Sequence, residues 1–200
     1  MTDLPAQADI LVVDDTPANL NVLSTILTQQ GYKVRPANSG ELALIVTQHA
    51  APDLILLDIQ MPGLDGFEVC KRLKESDHTR DIPIIFISAL DDVLDKVEAF
   101  EVGGADYITK PFQILEVLAR VEHQLALHRQ RDTIVAAKAL AQRLQSPVDK
   151  LVASLETLAS SSGAPPSAEQ VAAIDAIART IQSGLLELAR LTEQELHDAS

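Results

Sequence analysis

Apolar residues in this chain fall into two kinds of pattern. Short uninterrupted runs, Asp9 to Val13, Lys33 to Pro36, Leu54 to Asp58, Pro83 to Ile87 and Ala105 to Ile108, alternate with longer stretches where apolar residues recur every three or four positions. A continuous apolar run between amphipathic segments predicts a strand covered on both faces, as in a parallel sheet flanked by helices. Five strands alternating with five helices predict a doubly wound α/β domain. The helix limits are written locally. Thr16 is a candidate N-cap with Pro17 at the first helical position, Leu20, Leu23, Ile26 and Leu27 form the buried stripe, and Gly31 stops the helix. Asp65 and Glu68 have capping-box spacing ahead of Val69 and Leu73, and Gly103-Gly104 closes the fourth helix.

The pattern changes after the fifth helix, which begins near Gln113 and meets no Gly or Pro until Pro147. Leu140, Leu144, Val148, Leu151, Leu155 and Leu158 line one face, and beyond a polar turn at Ser160 to Ser167 the residues Val171, Ile174, Ala178, Ile181, Leu185 and Leu188 line another. These stripes predict an all-α helical hairpin. One hairpin buries them poorly, whereas two hairpins complete a four-helix bundle, so a homodimer is expected. The predicted domains are residues 1–130 and 131–200.

Composition narrows the function classes. At 46% hydrophobic, 200 residues suffice for one substantial core plus a small helical extension. A net charge of -13 and scattered Lys and Arg argue against a nucleic-acid grip or a basic recognition helix. Cys70 is the lone cysteine, so no internal disulfide forms and a cytoplasmic setting is expected. No 18-residue apolar run and no signal-like N-terminus are found, so no membrane role is expected.

The candidate chemistry sits at strand ends, where open α/β sheets bind ligands. The first strand runs into Asp14 and Asp15, the third into Asp58, the fourth into Ser88, and the fifth precedes Lys110-Pro111. Taken singly, each has a plain alternative: an aspartate or Ser88 (or Asp91) capping a helix, or Lys110 in solvent. Three carboxylates sharing a pocket would repel and raise at least one pKa, and a divalent cation removes that cost. Hard oxygen donors favour Mg²⁺.

Asp14-Asp15, the segment from Asp58 to Gly66 (DIQMPGLDG), Ser88-Ala89 and Lys110-Pro111-Phe112 together resemble the receiver domain of two-component response regulators over about the first 125 residues. The resemblance implies a flavodoxin-like sheet of order 2-1-3-4-5. It also implies that Asp58 is the phosphoacceptor for a histidine kinase or phosphotransfer protein. Asp15, Asp58 and the Gln60 backbone carbonyl would hold Mg²⁺, with Asp14 acting through bound water. Lys110, preceding a cis proline, and Ser88 would contact the phosphoryl group. Ser88 and Tyr107 would form the conformational switch, with an ordinary half-buried aromatic as the alternative for Tyr107. Ala89 is small enough to give access, and Gln60 and Leu90 would modulate hydrolysis, Gln60 by orienting water. Such a chain is a phosphoacceptor with its own phosphorylation and dephosphorylation chemistry rather than an enzyme acting on other substrates.

The stretch Ala141 to Leu151, AQRLQSPVDKL, resembles the dimerisation and phosphoacceptor segment of histidine kinases. Gln142 occupies the histidine slot and Arg143 the usual acidic neighbour, and no ATP-binding domain follows. The resemblance implies a degenerate dimerisation hairpin, and a generic helical hairpin is the alternative. His123 and His128 read as solvated helix residues. The expected function is a phosphorylation-controlled adaptor that signals through a dimeric helical domain to a protein target. A phosphorelay shuttle or phosphate sink, and a DNA-binding transcription regulator, are the alternatives.

Overall fold

The computed structural model describes residues 7–89 and 93–160, and beyond them 167–169, 172–173, 176–177, 179–181, 183–184 and 187. Leu90 and Asp91 lie outside the described residues, as do residues 161–166 of the expected turn and Val171, Ile174, Ala178, Leu185 and Leu188 of the second stripe. The chain divides into two compact units, Met1–His128 and Arg129–Ser200.

In the first unit five strands alternate with helices: β1 (Asp9–Val13), α1 (Pro17–Gln29), β2 (Lys33–Ala37), α2 (Gly40–His49), β3 (Leu54–Asp58), α3 (Gly66–Glu75), β4 (Ile84–Ser88), α4 (Val93–Glu101) and β5 (Asp106–Thr109), followed by α5 (Ile114–Ser160). All neighbouring strands are parallel, in the order β2-β1-β3-β4-β5. The expected strands are all present. β4 and β5 begin and end one residue later than the apolar runs suggest, and β2 extends through Ala37. The parallel ladder continues past the last apolar side chain, which side-chain pattern alone does not reveal.

Alternation of side chains across each strand builds two cores. Leu11, Val13, Ile55, Leu57, Ile84, Phe86 and Tyr107 join Ala43 of α2, Val69, Cys70 and Leu73 of α3, and Ala99 of α4. Ile10, Val12, Leu54, Leu56, Ile85, Ile87 and Ile108 pack on Leu23 and Leu27 of α1 and on Val117, Val121 and Leu125 of α5. A fully buried Leu or Ile contributes about 1.5–3 kcal/mol, so these two layers dominate the favourable side of folding. Cys70 belongs to this core: burial raises its thiol to about 11, leaving it inert.

The caps are as local chemistry dictates, with one difference. Asp65 accepts from the Glu68 N–H at 2.8 Å and Ser39 from the Leu42 N–H at 3.2 Å. Gly103 takes φ +98° and its N–H bonds to the Phe100 carbonyl, which ends α4 in the left-handed region. Thr16 stands at the N-cap of α1 with Pro17 following, but its side chain makes no cap bond and reaches Asp15 instead at 3.3 Å.

In the second unit α5 continues through Pro147 to Ser160. Gly184, in the later helical residues, is buried, and a Cβ there would come within 2.6 Å of the Leu144 side chain. The two helical stretches therefore meet at that level, where a glycine permits close approach.

Candidate functional site

Strand register sets the site. Val13 pairs with Leu57, Asp58 with Ile87, and Ser88 with Thr109, so Asp14, Asp58 and Ser88 emerge together at the carboxyl edge of the sheet. Lys110 joins them because its N–H donates to the Ser88 carbonyl at 2.7 Å, one step beyond β5. The Lys110-Pro111 bond is cis, as the receiver resemblance implies.

The side chains converge closely. The Lys110 ammonium donates to Asp14 Oδ2 at 2.8 Å and to Asp58 Oδ2 at 2.7 Å. Asp14 and Asp58 are buried and Asp15 is more open, and one carboxylate oxygen from each lies within 4.8 Å of the others. Asp58 Oδ1 also accepts from the Gln60 N–H at 3.3 Å. Gln60 itself is exposed.

Burial raises the Asp58 carboxyl above its usual range. The Lys110 hydrogen bond and charge oppose this, and the charge of Asp14 adds to it. Repulsion among the acids therefore contributes to the raised pKa, but desolvation is the larger cause. For Lys110, burial disfavours the ammonium, yet hydrogen bonds and charge from Asp14 and Asp58 outweigh it and the pKa rises. Both shifts favour the protonated form, for different reasons: burial dominates at Asp58, and the two carboxylates dominate at Lys110.

The remaining predicted residues fall as follows. Ser88 is fully buried at the end of β4. Ala89 is exposed. Tyr107 is 7% exposed and packed into the core, with the Lys96 ammonium 5.8 Å from its ring centre, so it is buried more deeply than a half-buried strand aromatic. In the second unit Gln142 is exposed. In the first, His123 is exposed and His128 partly covered.

One polar residue at the site escaped the sequence reading. Asn19, third in α1, donates from Nδ2 to both Asp14 oxygens, at 3.0 and 2.9 Å. Helical side chains lean toward the N-terminus of their helix, so a polar residue in the first turn reaches back over the strand end. That lean is the only signal the sequence offers. A second unforeseen cluster joins Arg120 of α5 to Asp106 at 2.7 Å and to Glu116 at 2.9 Å.

The family profile described as response regulator receiver domain matches residues 10–122. The chain belongs to this family. It is 42% identical over 128 residues to the DNA-binding dual master transcriptional regulator RpaA of Synechocystis sp., a match covering 64% of this chain and 52% of that protein. It is 46% identical over 114 residues to the response regulator PleD of Caulobacter vibrioides, covering 57% of this chain and 25% of that one. The chain thus spans about half the length of one curated relative and a quarter of the other. Among solved structures, a putative response regulator from Chloroflexus aurantiacus superposes with a TM-score of 0.58 at 38% identity, covering 60% of this chain and 98% of that one.

Membership makes this a two-component receiver. Receivers bind Mg²⁺ at an acidic pocket, and the Asp14, Asp15 and Asp58 cluster supplies the hard oxygen donors such an ion requires. Among the described residues, no helix is long and apolar enough to cross a membrane.

Proposed function

We propose that Asp58 accepts a phosphoryl group from a kinase phosphohistidine, and that the helical second unit transmits the change to a protein partner. The observation that carries this reading is the Lys110 ammonium held at 2.8 and 2.7 Å from Asp14 and Asp58 at the carboxyl edge of a receiver sheet. An Asp58 oxygen attacks phosphorus, the aspartyl O–P bond forms as the histidine N–P bond breaks, and the imidazole departs with the bonding pair. Lys110 turns from the carboxylates to a phosphoryl oxygen and offsets the charge gathering there. Ser88 donates to another phosphoryl oxygen, and Tyr107 packs beside it as the switch. Asp15, Asp58 and the Gln60 carbonyl would hold Mg²⁺, with Asp14 acting through bound water, and a bound ion would supply positive charge beside the phosphoryl oxygens. The chain is a phosphoacceptor and turns over no separate substrate.

The output reading follows from residues 129–200. Packing of Gly184 on Leu144 supports a helical hairpin, and two hairpins would bury the remaining apolar stripes in a dimer. Gln142, exposed in the slot of a kinase phosphohistidine, has no nucleophilic ring nitrogen, so the hairpin docks a partner rather than carrying phosphate. A DNA-binding output is the second reading, favoured by the name of RpaA. Against it stands the net charge of -13, which works against phosphate contacts.

Asp58→Asn tests the first part. Wild-type protein given a small phosphodonor and Mg²⁺ should gain one phosphoryl adduct that base or hydroxylamine removes, and the variant should gain none. An adduct of equal lability on the variant would remove Asp58 from its role. Capture of a protein partner that depends on phosphorylation supports the adaptor. Salt-sensitive binding to duplex DNA would replace it with a transcription regulator.

A further inference from the structure

We propose that Asn19 is a positioning residue for Asp14, holding that carboxylate in register for the metal side of the pocket while Lys110 leaves it for the phosphoryl group. The proposal rests on the phosphoacceptor reading given above.

The Asp14 carboxylate is 2% exposed and has four close contacts. Oδ1 accepts from the Thr16 N–H at 2.8 Å and from Asn19 Nδ2 at 3.0 Å. Oδ2 accepts from Lys110 at 2.8 Å and from the same Asn19 nitrogen at 2.9 Å. The Asn19 amide nitrogen therefore bridges both oxygens through one shared N–H, since the two oxygens of a carboxylate lie too close together to receive one N–H each. The opposite orientation of the amide would set its carbonyl against a carboxylate, so the assignment is chemically fixed.

These contacts differ in what phosphoryl transfer does to them. Lys110 also bonds Asp58 and must turn toward the incoming group, so its bond to Asp14 is exchanged during the reaction. Thr16 N–H and Asn19 belong to the start of α1, fixed by Pro17 in its first turn, and they stay. A single backbone donor lets the carboxylate rotate about one oxygen, whereas a second donor across both oxygens fixes its plane. The donor is neutral. A lysine or arginine at this position would fix the carboxylate as well, but its charge would compete with a divalent cation for the same acids. A neutral amide orients Asp14 without that competition, as partners beyond the ligands do at metal sites.

Mg²⁺ titration by calorimetry on the full-length chain tests this with four proteins: wild type, Asn19→Leu, Asp14→Ala and the double variant. Leucine keeps the branching and size of asparagine and removes the donors. Asn19→Leu should weaken Mg²⁺ binding on the order of tenfold. Phosphorylation by a small phosphodonor should slow in proportion at limiting Mg²⁺ and return to within about twofold of wild type at saturating Mg²⁺, a pattern a general loss of folding would not give. In the Asp14→Ala background the leucine should change nothing further, because the residue it positions is gone. Asn19→Gln, which keeps the amide, should recover most of the affinity, and Asn19→Ala repeats the loss should the leucine variant not fold. Wild-type affinity in Asn19→Leu, or an undiminished further loss beside Asp14→Ala, overturns the positioning role and leaves the phosphoacceptor intact. A wild-type chain that binds no Mg²⁺ and takes no phosphate overturns both.

Discussion

Burial disfavours the charged form of Asp58, and Lys110, which also pairs with Asp14, offsets that cost only in part. Because the folded-state pKa lies above the ordinary 3.8, ionised Asp58 costs stability at neutral pH. As pH falls through the raised folded value the folded protein takes up the proton first, and the cost disappears by the time the unfolded value is reached. Asp58→Asn should therefore melt above wild type at pH 7, with Lys110 still paired to Asp14. The gap should narrow as pH falls toward the unfolded value. Melting curves across that range check it, and a gap that widens on acidification would mean that burial is not the dominant influence. The acids at strand ends were legible because four strand-end motifs together match a receiver, whereas any one of them alone reads equally well as a helix cap. Asn19 was not, since a polar residue in a first helical turn has the same local signature whether it faces solvent or a neighbour's carboxylate. Nor was the depth of Tyr107, because a strand aromatic has the same pattern whether it is half or almost fully buried.

The elements carry these residues through close contacts that sequence marks with glycine. α3 begins at Gly66, whose N–H donates to the Ile59 carbonyl at 3.0 Å. A Cβ at Gly66 would strike the Asp58 carbonyl and lie 2.8 Å from Ile59 Cα, both backbone atoms that cannot turn aside. The start of α3 thus rests directly on the residue that supplies the phosphoacceptor. Gly66→Ala should cost about 1–3 kcal/mol, the usual cost of overpacking, and should slow phosphorylation by shifting Asp58. Denaturant unfolding and phosphodonor labelling check both effects, and an alanine variant with wild-type stability would show that α3 moves off without cost. The same glycine was visible in the sequence as part of the motif following Asp58, but its reason was not. Only the packing shows that the turn must bring two backbones together. Strand ends shifted by a residue for a related cause, since backbone hydrogen bonds continue where apolar side chains stop. Sheet order could not be read from composition either; it came from the receiver resemblance with right-handed crossovers, and the parallel register agrees.

At the scale of the whole molecule the receiver accounts for the first unit, and the second carries exposed apolar side chains. Within residues 129–200, Leu140 is buried and Gly184 meets Leu144, so part of the stripe is covered inside one chain. Ile134 and Val135 remain 59% and 65% exposed. Adjacent large apolar residues on a helix that already packs on its own chain are the kind of surface a second copy covers, and a symmetric dimer repeats each contact twice. The full chain should sediment as a dimer at about 10–50 μM, a range in which an interface of ordinary size is populated, while a truncation ending at Gln130 should be largely monomeric. Changing both Ile134 and Val135 to aspartate should shift the full chain toward monomer and leave its melting by the receiver unchanged, because neither side chain is part of a core within one chain. A full-length protein that stays monomeric throughout that range would remove the dimer. The exposed Ile134 and Val135 would then mark the docking face for a different protein, and the adaptor reading would rest on that contact alone.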